Sequence, residues 1–152
     1  MARTQLGAIP KIVNNFDPRT SNQNIFYNII GDEDTQLILC HGIAGTGKTY
    51  VSIYRALQDV LRRGTPYNKL IIINPTVDVG NEDKLGFLPG ELSSKIQQYN
   101  ESTFTILDKI IGKERASKMI QTGKLEIGVL NFLRGVNLEN CYVILDEAQN
   151  VS

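Results

Sequence analysis

Apolar and polar positions along this chain alternate between a helical period and short continuous apolar runs. Thr20 or Ser21 can cap a helix running to about Ile30, in which Ile25, Phe26, Ile29 and Ile30 form one apolar stripe. Gln36-Leu37-Ile38-Leu39-Cys40, short and apolar, predicts a strand, and from Tyr50 to Arg63 apolar residues return at helical spacing. Arg62-Arg63-Gly64 then supplies the usual stop signals, basic residues in the last turn with glycine beyond. Thr65-Pro66-Tyr67-Asn68 predicts a turn, and the run from Lys69 to Asn74 has the character of a strand covered on both faces in a parallel sheet, ended by Pro75. Thr76 to Gly90 is loop-like. Helical spacing resumes from Glu91 to about Ile111, with a break expected near Asn100 to Ser102, and a shorter helix is expected over Lys113 to Ile120. Lys124 to Val129 alternates weakly and predicts a strand, Leu130 to Gly135 a loop or short helix, and Cys141 to Leu145 an apolar strand that ends in two acids, Asp146 and Glu147. The expected class is α/β, a parallel sheet flanked by helices.

Composition bounds this picture without changing it. With 152 residues, 41% hydrophobic and 21% charged, the chain suits one soluble globular domain. Sixteen basic and sixteen acidic residues cancel, so no global field draws it to nucleic acid or to an anionic membrane, and any such binding must be local. The N-terminus lacks the apolar core of a signal peptide and no run approaches a membrane span, so a cytoplasmic location is expected. Residues 1–20, with Pro10, Pro18 and scattered Asn, suggest an extended N-terminal segment, leaving 21–152 as the domain. Cys40 and Cys141 are expected as small hydrophobes in or beside buried strands, about a strand length apart and so not bridged. His41, the only histidine, reads as a loop residue, and no Cys/His cluster has metal-ligand spacing.

The chemistry concentrates at Gly42-Ile43-Ala44-Gly45-Thr46-Gly47-Lys48-Thr49, which fits the phosphate-binding loop pattern at every constrained position and lies between a predicted strand and a predicted helix. Gly42 and Gly47 are expected to allow tight turns, so that N–H groups from Gly45 through Thr46 and Gly47 to Thr49 point at a phosphate from the positive end of a helix. The Lys48 ammonium can reach between β- and γ-phosphates, and the Thr49 hydroxyl can ligate the Mg²⁺ that bridges them. Asp146, where the last strand emerges, can hold the Mg²⁺ shell through water, and Glu147 can orient and deprotonate an attacking water. Gln23 is a candidate reader of adenine, because an amide both donates and accepts; an exposed helical glutamine is the alternative. Arg134 can bind a phosphate or stand on the surface, and Arg62 and Arg63 can form a basic patch or simply complement the helix dipole. The long 76–90 loop, at the carboxyl end of a strand, is placed to carry function, with Phe87 and Leu88 as candidate anchors or partner contacts.

With the phosphate loop, Lys84-Leu-Gly-Phe-Leu-Pro-Gly90, Phe132-Leu-Arg-Gly135 and Ile144-Leu-Asp-Glu-Ala-Gln-Asn150 in this order, the chain resembles the PhoH family of P-loop ATPases over roughly residues 18 to 150. The resemblance implies a RecA-type, helicase-like core that hydrolyses ATP with Mg²⁺, often associated with RNA, with an adenine contact near Gln23 and Glu147 as the catalytic acid. Such short proteins also occur in bacteriophages. Two departures stand out. Ile73-Asn74-Pro75 replaces the family's Thr-Arg-Pro, and the sequence stops at Ser152, before the strand that follows the Asp-Glu pair in family members and before their later basic residues. In a RecA-type sheet that strand lies between the phosphate-loop strand and the Asp-Glu strand, so the expected sheet is incomplete on its C-terminal side. A truncated product, a second chain or homo-oligomer completing the sheet, and closure of the two halves into a smaller fold all remain open. So does the functional alternative, a nucleotide-binding interaction module without turnover.

Overall fold

A computed structural model describes residues 15–75, 100–128 and 137–151. Helix α1 (Ser21–Ile30) starts at Thr20, whose hydroxyl accepts the N–H of Gln23 at 3.2 Å. Helix α2 (Lys48–Leu61) opens inside the phosphate loop and buries Val51, Ile53, Tyr54, Ala56, Leu57 and Val60, the apolar positions that helical spacing had aligned. Helices α3 (Glu101–Ile111) and α4 (Lys113–Gln121) follow, split at Gly112 rather than continued. Strands β1 (Lys69–Ile73), β2 (Leu125–Gly128) and β3 (Cys141–Leu145) form a sheet of order β2-β1-β3 among the described residues.

Both pairings are parallel: Leu70 stands opposite Leu125 on one side and Tyr142 on the other, and Ile73 opposite Gly128 and Leu145. This central position explains the unbroken apolar run of β1. With neighbours on both edges and cover on both faces, Leu70, Ile71, Ile72 and Ile73 are all buried. Leu70 and Ile72 meet Ile53, Leu57, Leu107, Ile110 and Leu125 in one core cluster, so α2, α3 and the sheet share an apolar centre.

Polar groups fasten α1 to α2. Arg55 Nε lies 3.1 Å from Asp59 Oδ2, the Arg55 guanidinium sits 5.0 Å from the centre of the Tyr27 ring, and the Tyr27 hydroxyl donates to Gln58 Oε1. Burial pushes the Asp59 carboxyl above its ordinary range although Arg55 draws it back. Burial likewise raises the Tyr142 hydroxyl, whose ring packs edge-on against Tyr67 at 5.1 Å. Phe16 adds a small aromatic cluster, stacked on Tyr27 at 5.0 Å and tilted against Tyr54 at 5.1 Å.

Two expectations are corrected, and one apolar face proves partly uncovered. The strand expected over Gln36–Cys40 is not formed: those residues join no sheet, and Leu37 and Leu39 are 78% and 89% exposed. An apolar run becomes a strand only beside an edge it can pair with, and among the described residues nothing pairs with it or with the second edge of β3. Cys40 is consequently exposed rather than buried, while Cys141 is half-buried, and both are free thiols. The stripe of α1 is only partly covered, with Ile30 buried but Ile25 and Ile29 exposed, because they face the same unpaired segment across a shallow groove. The 76–90 loop, the helix expected over 91–99 and Arg134 lie outside the described residues.

Candidate nucleotide site

The loop at 42–49 owes its shape to two glycines. Gly45 and Gly47 hold φ of +78° and +87°, the left-handed region that costs a side chain about 1–2 kcal/mol. Gly42, expected to be one of the turning residues, has no positive φ; the turn falls one glycine later, where the chain enters α2. At Gly47 space is also closed, since a Cβ there would stand 3.1 Å from Gln23 Nε2. Gly47→Ala is therefore expected to lower the melting temperature by several degrees and to weaken anion binding. Unchanged melting in a thermal scan would contradict the strained geometry.

Side chains finish the loop. Thr46 Oγ1 donates to Ile43 O at 2.9 Å, and Lys48 Nζ donates to Gly42 O and Ile43 O, both at 2.9 Å, so the ammonium lies folded over the concave side of the loop. Below it, Thr49 Oγ1 is 3.0 Å from both carboxylate oxygens of Asp146. That meeting spans 97 residues and depends on the sheet: Asp146 N–H bonds to Ile73 O at 2.9 Å, extending the β1–β3 ladder one step and carrying the carboxylate to the carboxyl end of the strands beside α2. A hydroxyl and a carboxylate converging in this way are the hard oxygen donors Mg²⁺ takes.

Glu147, the next residue, holds a left-handed backbone (φ +52°, ψ +40°), unusual without glycine, and starts the short 3-10 turn Ala148–Asn150. Its carboxylate accepts the Gln149 amide. Gln149 was not singled out by sequence; only its place two residues after the acids could have drawn attention. Gln23 lies at the other side of the loop, its Nε2 donating to Thr46 O at 2.9 Å. A cavity of about 850 Å³ opens between this end of α1 and the loop, lined by Phe16, Arg19, Gln23, Phe26 and Tyr50 as well as loop residues. The structure thus brings Gly42, Gly45, Thr46, Gly47, Lys48, Thr49, Asp146 and Gln23 to one place, with Glu147 adjoining. Phe16, Arg19 and Tyr50 join them without having been marked in the sequence.

The family model for PhoH-like protein matches residues 15–152. The chain belongs to the PhoH-like family. It is 38% identical to the PhoH-like protein of Bacillus subtilis (strain 168) over 116 residues, covering 76% of this chain and 35% of that protein. Against the PhoH-like protein of Synechocystis sp. it is 34% identical over 152 residues, covering 100% of this chain and 43% of the relative. Protein PhoH2 of Mycolicibacterium smegmatis is 32% identical over 133 residues, 88% of this chain and 30% of its own length. The chain therefore spans less than half the length of these relatives. Membership places it among nucleotide-binding proteins of the P-loop type, and the parallel α/β sheet with its loop opening α2 is that fold. No helix among the described residues is long and apolar enough to cross a membrane, and none of their His, Cys, Asp and Glu side chains gather in threes as a metal site.

Proposed function

We propose that this PhoH-like chain binds ATP with Mg²⁺ at the 42–49 loop and that the protein containing it hydrolyses ATP to ADP and phosphate. The contact of Thr49 with both oxygens of Asp146 at 3.0 Å carries this reading, because it sets a metal-type donor pair directly beneath a phosphate-type loop. Thr49 directly and Asp146 through water would hold Mg²⁺, which would supply neutralisation of the phosphate charge. Lys48 would leave the Gly42 and Ile43 carbonyls for phosphate oxygens, an exchange of dipole acceptors for anionic ones that strengthens its bonds. Glu147 would orient a water and take its proton as the water oxygen bonds to the γ-phosphorus and the bond to the β,γ-bridging oxygen breaks, releasing ADP.

Glu147→Gln should leave MgATP affinity within about twofold while lowering phosphate release about a hundredfold or more, the span of one general base. Calorimetric titration and a phosphate-release assay on the same preparations read the two effects. Release unaffected by the substitution would remove Glu147 from the chemistry.

A binding module without turnover is the second reading. It is favoured by the Glu147 carboxylate being occupied by Gln149 and held on a left-handed backbone. Nucleotide-dependent thermal stabilisation with no phosphate release would establish it. The remaining parts of the proposal are RNA as a coupled ligand, a cytoplasmic site of action, and a further strand, from a second chain or another copy, joining the sheet. Support for the strand comes from Val143 and Leu145, 40% and 41% exposed on β3, whose second edge is unpaired among the described residues. Residues 21–152 are read as the nucleotide domain, with the preceding segment reaching the cavity through Phe16 and Arg19.

A further inference from the structure

Gln23 begins as a helix cap and ends in the phosphate loop. In a capping box the third helical residue turns its side chain back to a backbone N–H at the cap. Here the Gln23 N–H bonds to Thr20 Oγ1 at 3.2 Å, and Gln23 Oε1 accepts the N–H of Arg19 at 2.8 Å. The amide nitrogen does something a cap does not require: it reaches 23 residues along the chain to Thr46 O at 2.9 Å. That carbonyl belongs to the peptide between Thr46 and the left-handed Gly47. A peptide beside glycine turns over at little steric cost. Since C=O and N–H point opposite ways in a planar trans peptide, holding the Thr46 carbonyl on Gln23 turns the Gly47 N–H to the other side.

We propose that Gln23 is a positioning residue that latches the phosphate loop to α1, fixing the Thr46–Gly47 peptide so that the Gly47 N–H stays available to a phosphate whichever base the nucleotide carries. The inference rests on the reading of 42–49 as a phosphate cradle. It assigns Gln23 to the triphosphate rather than to adenine: both ends of its amide are anchored, Oε1 by the Arg19 N–H and Nε2 on Thr46 O, the latter inside the phosphate loop.

Two variants separate the latch from the cap. Gln23→Glu keeps an acceptor for the Arg19 N–H and a favourable negative charge at the start of α1, but it cannot donate to Thr46. Gln23→Met is neutral and loses both bonds. MgATP, MgGTP and magnesium tripolyphosphate are titrated into each protein, and backbone ¹⁵N relaxation is followed without nucleotide. Expected is a loss of about five- to tenfold in Gln23→Met, equal for all three ligands, as one hydrogen bond is worth. The Gly47 amide should become more mobile by ¹⁵N relaxation in both variants, while Gln23→Glu keeps the wild-type melting temperature. A loss confined to ATP would make Gln23 a base reader and overturn the latch. So would a lowered melting temperature in Gln23→Met with unchanged affinity and Gly47 mobility, the mark of a cap alone. If the wild-type chain bound none of the ligands, the cradle reading would fail, and unaltered Gly47 mobility in the variants would then separately overturn the latch.

Discussion

Lys48→Ala is expected to weaken MgATP binding about a hundredfold, the largest effect of any single side chain in the site. Each bond from an ammonium to a phosphate oxygen is worth about 1.5–3 kcal/mol, and Lys48 is placed to make two, so about 3 kcal/mol, or two decades in Kd, is a conservative sum. The substitution has a second consequence. In the nucleotide-free loop Lys48 ties the carbonyls of Gly42 and Ile43 at 2.9 Å each, and losing both bonds lets those carbonyls turn toward the space an anion must enter. Lys48→Arg retains charge but presents a longer planar fork to a site shaped for a compact ammonium, so it should recover only part of the affinity. Calorimetric titration with MgATP is the direct measurement, with circular dichroism to show an intact fold. A change below about threefold in Lys48→Ala would mean that the loop does not cradle a triphosphate through this residue.

The second large effect concerns the scaffold. Ile72→Ala is expected to cost about 2–5 kcal/mol of unfolding free energy, a large fraction of the roughly 5–15 kcal/mol that holds an ordinary domain together. Ile72 is wholly buried, pairs with Ile127 and Ile144, and meets the α2 and α3 side chains Ile53, Leu57, Leu107 and Ile110. The cavity left at the middle of the sheet has rigid neighbours on both edges and cannot easily collapse. Val143→Ala, on β3 and 40% exposed, removes a smaller side chain from a partly wet face and should cost under about 1 kcal/mol. Urea unfolding of both variants, with similar m-values, checks the contrast. Equal losses would mean that β1 is not the centre of the core.

These expectations depend unequally on sequence and structure. The left-handed Gly47, Lys48, Thr49 and the acid pair could be read directly, since the phosphate loop is a local motif whose chemistry follows from residue type and spacing, whereas the second left-handed glycine is Gly45 and not Gly42. So could α2, α4 and β1, whose periodicity and length are decided within a few turns of chain, and the start of α3 after Asn100. Gln36–Cys40 was legible only as an apolar run. Its hydrogen bonds have to come from another strand, and pairing is a property of the neighbour rather than of the run itself. The exposure of Ile25 and Ile29 on α1 follows from the same cause, because amphipathic spacing says which residues share a face and not whether something covers it.

Within the site the division is similar. By itself the amino-acid sequence determined which groups are available: a glycine-bearing loop, an ammonium, a hydroxyl and two carboxylates, each specified by covalent identity and local spacing. Only the tertiary structure decided that Thr49 meets Asp146 across 97 residues, that Gln23 bonds Thr46 and Gln149 bonds Glu147, and that Phe16 closes on Tyr27 and Tyr54. The physical reason is range. Backbone conformation at a glycine or a helix cap responds to the next few residues, whereas the Thr49–Asp146 contact exists because parallel pairing of β1 with β3 in one register delivers the acid to the end of α2 that carries the loop.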